Sequence, residues 1–360
     1  MRRQPRWRTA GVRWTLGCGL VAFVLAACLI ASSSAGAAPE RLVVAVGGDR
    51  FPVTLVRVPL SRYQLGVALA GRRVGDNAPL VEIARGAGAQ CAINGTFFAA
   101  YAGETHEPYG TLVIDKKLLH LGGLGSRLDV LDDGTVRIVP DHLQIQGELD
   151  GSDAYPSDWY AYNLNQTPTP GGSSAYVFTP ERGPTLGFRA DLAIVARRGI
   201  VSDVVADADV AIPSDGFVLA LQGREVAVLG WKFRPGQRIA YAAIEDGRVL
   251  NTRFSLGAGP TLVRDGQVSV HAAAEGFRDP KIVSWSGTRS VVGTTAAGDV
   301  MLAVIGGATI TQAASVMQVL GAADAMNLDD NGSTGLVCGG RYLIGPGRQV
   351  PNALVLWPRV

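Results

Sequence analysis

Alternating apolar and polar positions dominate the chain beyond residue 40 and predict strands far more often than helices. Residues 42–46, 53–58 and 63–69 are rich in branched and aromatic side chains, and the last of them alternates clearly. Asp132-Asp133-Gly134-Thr135 stands between the apolar runs 128–131 and 136–139, the pattern of a hairpin. Arg264-Asp265-Gly266-Gln267 and Ala297-Gly298-Asp299 repeat that pattern, and 193–205 and 238–244 read as further strands. Helical spacing is confined to two places. Residues 80–85 predict a short helix ending near Gly86. Residues 310–320 predict a longer one, capped by Thr309 with Gln312 three residues on and closed at Gly321. Its apolar face is Ile310, Ala313, Ala314, Met317 and Leu320. The next stretch, 323–328, predicts a buried strand that leads straight into a polar turn. The expected fold class is α+β, mostly mixed or antiparallel β-sheet with a few packed helices.

The first residues do not belong to this pattern. Met1 to Arg13 holds five arginines and no acid, and an apolar run from about Trp14 to Ile30 follows, then Ala, Ser and Gly. That is an export signal. Ala35-Gly36-Ala37 offers a cleavage site, whereas Leu25-Ala26-Ala27-Cys28 resembles a lipoprotein box that would leave a lipidated Cys28; an uncleaved anchor is the third route. The expectation is therefore an exported protein, either secreted or attached to the outer face of the membrane through its N-terminus. Removing those five arginines turns the formal net charge of +2 into −3, so the basicity belongs to the signal and implies no nucleic-acid partner. Only Cys91 and Cys338 remain beyond the signal, and they read equally as one disulfide or as two buried thiols. Between about 151 and 184 the composition shifts to Gly, Pro, Ser, Thr, Tyr and Asn. This is an inserted loop that either helps to wall a substrate site through Trp159, Tyr160 and Tyr162 or is a plain surface excursion.

The densest chemistry lies at Asn327-Leu328-Asp329-Asp330-Asn331-Gly332-Ser333-Thr334. Two carboxylates, amides, hydroxyls and a glycine on one turn suit a sugar or phosphate, whose oxygens are costly to leave unpaired in a closed pocket. Cys91-Ala92-Ile93-Asn94-Gly95-Thr96-Phe97-Phe98 reads as a buried strand ending on an amide, with the two phenylalanines assigned to the core. Gly257-Ala258-Gly259-Pro260-Thr261-Leu262-Val263, Thr288-Arg289-Ser290 and Arg348 followed by Asn352-Ala353-Leu354 add further polar groups beside apolar runs. In this order, the five segments resemble the phosphodiester glycosidase family, related to the enzyme that uncovers mannose 6-phosphate by removing N-acetylglucosamine. The resemblance runs from about Cys91 to the C-terminus, with a poorly matched middle between about 143 and 255. It divides the chain into a signal at 1–37, a β-rich segment at 40–84, and a phosphodiester glycosidase-like domain at 85–360 with an insertion near 143–255. Where the family carries two glycines after Asn-Leu-Asp, this chain has Asp330 and Asn331, residues that tolerate left-handed backbone better than most.

The resemblance implies a hydrolase acting on a glycosyl–phosphate diester of an envelope or extracellular glycan. A glycan or sugar phosphate is then the partner, and no cofactor is called for. The catalytic candidates are Asp329 and Asp330. Arg289 and Arg348 are the expected phosphate clamps, and Asn94, Gly95, Asn327, Asn331, Gly332, Ser333 and Asn352 the expected sugar or phosphate ligands. His106 reads as an acid–base candidate or an ordinary loop histidine. No zinc motif occurs, and the calcium-loop echo from Asp329 fails at Gly340. The altered Asp330-Asn331 pair keeps a second reading in view, a non-catalytic protein of glycan binding or exopolysaccharide assembly.

Overall fold

The structure is a computed structural model that describes residues 37–101, 103 and 105–359. The expected export signal, Cys28 and all of the expected cleavage site except Ala37 lie outside the described residues. A seven-stranded antiparallel sheet forms the base, in the order Pro39–Val46, Asp49–Pro59, Asp299–Ala308, Gly287–Thr294, Asp324–Asn327, Thr261–Arg264 and Gln267–Val268. A second antiparallel sheet runs Arg341–Ile344, Leu336–Cys338, Cys91–Asn94, Asn352–Pro358 and Tyr63–Leu69. A third runs Lys117–His120, Leu112–Ile114, Phe254–Ala258, Ser126–Val130 and Val136–Pro140. All three contribute to one core, with Val56, Val292 and Val304 from the first, Leu65, Ile93 and Leu354 from the second, and Leu112, Leu128 and Phe254 from the third. Residues 40–84 supply strands to both the first and second sheets.

The outer faces of the first two sheets are covered by the two expected helices. Ile310–Val319 closes over the first sheet with Ala313, Ala314 and Met317 buried, and Thr309 and Gln312 form the reciprocal cap read from the sequence. Gly321 follows at φ +85°, where only a residue free of a Cβ is unstrained. Leu80–Gly86 covers the second sheet through Leu80, Ile83 and Ala84. The longest helix among the described residues has ten residues, so the α component of the expected α+β class is small and the molecule is mostly antiparallel β.

The middle of the chain builds its own pair of sheets. Gln144–Leu149, Trp159–Ala161, Ile239–Glu245 and Arg248–Val249 form one, and Asn163–Leu164, Ser174–Phe178, Ala190–Arg197, Ile200–Ala208 and Gly216–Gln222 form the other. The single strand expected at 193–205 is two. Arg198 and Gly199 both take left-handed backbone, at φ +50° and +73°, and make the tight reversal between Ala190–Arg197 and Ile200–Ala208. Trp159 is not on a substrate wall: it is 1% exposed and packs against Phe217, Phe233 and Tyr241. Tyr160 and Tyr162 instead direct their hydroxyls to Glu225. The inserted sheets are fastened to the third sheet by a charged joint in which fully buried Arg127 meets Asp129, Asp141 and Glu245.

Candidate active site

The polar turn passes from the first sheet to the second. Asp324–Asn327 leaves the first sheet, and the backbone N–H of Leu328 still donates to the Ser290 carbonyl at 2.8 Å. One residue later the chain is captured by the second sheet. Asp329 donates its backbone N–H to the Gly95 carbonyl at 3.0 Å, and its own carbonyl accepts from Asn94 Nδ2 at 2.6 Å. The Asn94-Gly95 pair thus clamps both main-chain polar groups of Asp329. Asn94 Oδ1 accepts from Ser290 Oγ at 2.7 Å and from the Gly335 N–H at 3.0 Å, so one amide links three segments. Asn352 does similar work behind Gly95: its side chain accepts from the Thr96 N–H and donates to Thr96 Oγ1, each at 2.9 Å. A Cβ on Gly95 would stand 2.0 Å from Asn352 Oδ1 and 2.9 Å from a Leu256 methyl. Gly95→Ala is therefore expected to destabilise the protein by about 1–3 kcal/mol, read as a lowered melting temperature.

Past Asp329 the chain makes a single 3-10 turn, Asn331–Ser333, beneath a cavity of about 530 Å³. Asp329, Asp330, Asn331, Gly332 and Ser333 form its floor, Arg348 and Lys281 bring positive charge, and Phe97, Tyr101, Phe277 and Trp285 are among its aromatic walls. Asn331 sits at φ +52°, and its Nδ2 donates to Asp330 Oδ1 at 2.8 Å. Asparagine tolerates this left-handed position better than most residues. Asp330 itself is extended, at φ −134°, and carries no backbone strain.

The carboxylates differ in their surroundings. Asp329 is partly exposed and lines the cavity. Burial pushes its carboxyl up to about 7, helped by the nearby charge of Asp330 and opposed by hydrogen bonds from Ser333 and the Asp330 N–H. Burial also raises the Asp330 carboxyl, but Arg289 Nη1 donates to its Oδ2 and pulls it back. Arg289 is completely buried and does not line the cavity. Its remaining donors go to the carbonyls of Ala308 (3.1 Å), Lys281 (3.2 Å) and Trp285. The expectation of a phosphate clamp meets a geometric obstacle, because most of its guanidinium is already committed.

Asn94, Asn327 and Asn352 are likewise fully buried and away from the cavity wall. Asn327 Nδ2 donates to the Leu328 carbonyl at 2.6 Å, while its Oδ1 has no partner among the described residues. Arg348 is exposed and faces the cavity, tied to the turn by its backbone N–H on the Gly332 carbonyl at 2.7 Å. His106 is not on the cavity wall and packs its ring 6.5 Å from that of Phe98. The two phenylalanines assigned to the core both line the cavity, Phe97 with its ring 5.8 Å from Phe277. Sequence reading missed Lys281, Phe277 and Trp285 altogether. The one signal available was Asp279-Pro280, an N-cap and first-turn proline: Asp279 Oδ1 accepts from the Lys281 N–H at 2.9 Å, which fixes where Lys281 starts. Cys91 and Cys338 stand opposite each other on paired strands and are joined as a disulfide. Among the described residues, no group of three or more His, Cys, Asp or Glu side chains is placed to hold a metal ion.

The family model described as phosphodiester glycosidase matches residues 190–357. That span holds four of the five motifs and leaves out Asn94 to Phe98; it also begins inside the middle region expected to match poorly. No curated protein matches the chain. Among solved structures, a hypothetical protein from Synechocystis superposes with a TM-score of 0.76 at 23% identity, over 89% of this chain and 62% of that one. This chain therefore spans less than two thirds of that relative's length. A candidate exported protein from Burkholderia pseudomallei K96243 superposes with a TM-score of 0.68 at 25% identity, over 86% of this chain and 74% of that one. The catalytic domain of zebrafish N-acetylglucosamine-1-phosphodiester alpha-N-acetylglucosaminidase, auto-inhibited by its pro-peptide, gives 0.49 at 13% identity, over 91% and 86%.

Proposed function

We propose that this chain, whose residues 190–357 match the phosphodiester glycosidase family model, is an exported hydrolase that cleaves a glycosyl–phosphate diester of an envelope or extracellular glycan. The observation that carries the reading is Asp329, a carboxylic acid near neutrality whose main chain is clamped on both sides at the floor of a 530 Å³ cavity. Such a group is suited to accept a proton from water attacking the anomeric carbon. The bond from that carbon to the phosphate oxygen then breaks, and the phosphate departs as a monoester. Phosphate is a good leaving group, so its charge needs neutralising more than its oxygen needs a proton. Arg348 supplies that charge at the cavity. Asp330 faces the ring carbon's developing positive charge, held in place by Arg289 and Asn331. Asn94, Gly95, Asn327 and Asn352 act from behind the floor by positioning Asp329, and Gly332 and Ser333 shape the turn. Export is supported by the N-terminal signal pattern and by the exported-protein name of the Burkholderia relative.

The test is release of free sugar from a nucleotide sugar or another glycosyl-1-phosphodiester by the purified chain. If Asp329 is the base, its ionised form is the active one, so kcat/KM rises with pH and levels off above about 7. A rate that falls through that range would contradict the assignment. Glycan binding with no turnover at any pH would favour the non-catalytic, exopolysaccharide-assembly reading.

A further inference from the structure

Two cations on the cavity wall converge on one aromatic side chain. Lys281 Nζ donates to the Tyr101 hydroxyl at 3.0 Å, and the Arg348 guanidinium carbon lies 5.9 Å from the centre of the same ring. Neither makes a salt bridge among the described residues, although sixteen other ion pairs join described side chains. The two are close enough that Arg348 acts electrostatically against the Lys281 charge. The Tyr101 hydroxyl and Asp279 favour the Lys281 charge while Arg348 opposes it, and Arg348 also acts on Asp329; an anion seated between the two cations is attracted by both and offsets their mutual repulsion. The charges are also well anchored. The backbone carbonyl of Lys281 accepts from Arg289, which also holds Asp330, and the Arg348 N–H is fixed on the carbonyl of Gly332 in the catalytic turn.

We propose that Lys281, Tyr101 and Arg348 form an anion subsite that holds the phosphate group and binds a phosphate monoester more tightly than a diester. This rests on the reading of the cavity as a glycosyl phosphodiesterase site. Hydrolysis converts a diester monoanion into a monoester that is largely dianionic above pH 7. The same two cations therefore grip the product harder than the substrate, and product departure is slowed by the device that stabilises the leaving group. Inorganic phosphate and simple phosphomonoesters are then competitive inhibitors.

The experiment titrates the full chain, with no glycoside present, with methyl phosphate and with dimethyl phosphate at pH 7.5 by calorimetry. Methyl phosphate is expected to bind at least about tenfold more tightly than dimethyl phosphate. Lys281→Met and Arg348→Met are each expected to weaken methyl phosphate by about tenfold or more. Both residues are exposed, so these variants fold, which the melting temperature checks. Equal binding of the two phosphates, or methyl phosphate affinity unchanged in both variants, overturns the subsite. Because no turnover is read, the two hypotheses fail separately: preferential monoester binding lost in the variants, alongside absent hydrolysis, removes the enzyme and leaves the subsite.

Discussion

Asp329→Asn sharply lowers turnover and, at neutral to alkaline pH, makes the protein harder to unfold. The first effect follows from removing the proton acceptor, and a loss of about a hundred- to ten-thousandfold in kcat is expected. The second follows from the direction of the carboxyl shift. In the unfolded chain this aspartic acid ionises near its ordinary value of 3.8, whereas in the folded protein it holds its proton up to about 7. Between those values the folded state binds more protons than the unfolded state, so stability drains away as pH rises through that window and the full cost is present above 7. Asparagine carries no charge to desolvate. Its side-chain oxygen still accepts from the Asp330 N–H, a bond of 2.9 Å in the parent, so the turn keeps its shape. The shift corresponds to a ceiling of about 4 kcal/mol, which water in the cavity reduces to about 1–2 kcal/mol. Urea unfolding of parent and variant at pH 4.5 and at pH 8 measures it. A clear gain at pH 8 that nearly vanishes at pH 4.5 is the expected outcome. A variant no more stable at pH 8 than the parent shows that the carboxylate is not penalised, and the argument for its near-neutral titration goes with it. Activity given up for stability at one side chain is the trade expected of a site built against its own folding energy.

The same residues show how far a chain can be read before it is folded. The hairpins, both covering helices and the Thr309 cap are local, governed by turn residues and periodicity, and they stand where the pattern puts them. The hairpin at Arg198-Gly199 was hidden because arginine is a poor marker for left-handed backbone, and the apolar run continues on both sides. At the site, the motifs do converge: Asn94, Gly95 and Ser290 all bond to the Leu328–Asp329 link or to its holder, and Gly259 and Pro260 pair with Asn327. Whether a convergent polar side chain faces a ligand or a neighbour is a different matter. Asn94, Arg289 and Asn352 are fully buried, and their partners lie 196 to 256 residues away or, for Arg289, include carbonyls that no motif marks. Distances along the chain of that size are invisible to spacing rules. Conversely Lys281, Phe277 and Trp285 come from a stretch whose one local signal is the Asp279-Pro280 cap, and on the cavity wall the carbonyls of Lys281 and Trp285 are held by Arg289 while Phe277 packs against Phe97.

That role makes Arg289 the residue whose loss should be felt most in folding. Arg289→Met preserves length and apolar bulk but leaves the Asp330 carboxylate and the carbonyls of Ala308, Lys281 and Trp285 without their donor. An unpaired buried charge costs about 3–5 kcal/mol, enough to lower the melting temperature by roughly 10 °C in a protein of this size. The sign of its pH dependence is also determined. Burial already raises the Asp330 carboxyl, and the guanidinium is the chief force holding it down. With that force gone the folded state resists ionisation further, so the variant loses more stability at pH 8 than at pH 5. Arg289→Lys keeps a charge for Asp330 but lacks the planar fork that reaches three carbonyls as well, and an intermediate loss is expected. The double variant Arg289→Met with Asp330→Asn separates the two contributions. It should recover most of what the single variant loses at pH 8, because the stranded charge is gone, while hydrolysis stays suppressed since the 281–285 carbonyls are still released. Equal instability in single and double variants would show that the carbonyls, not the ion pair, are what Arg289 is there to hold.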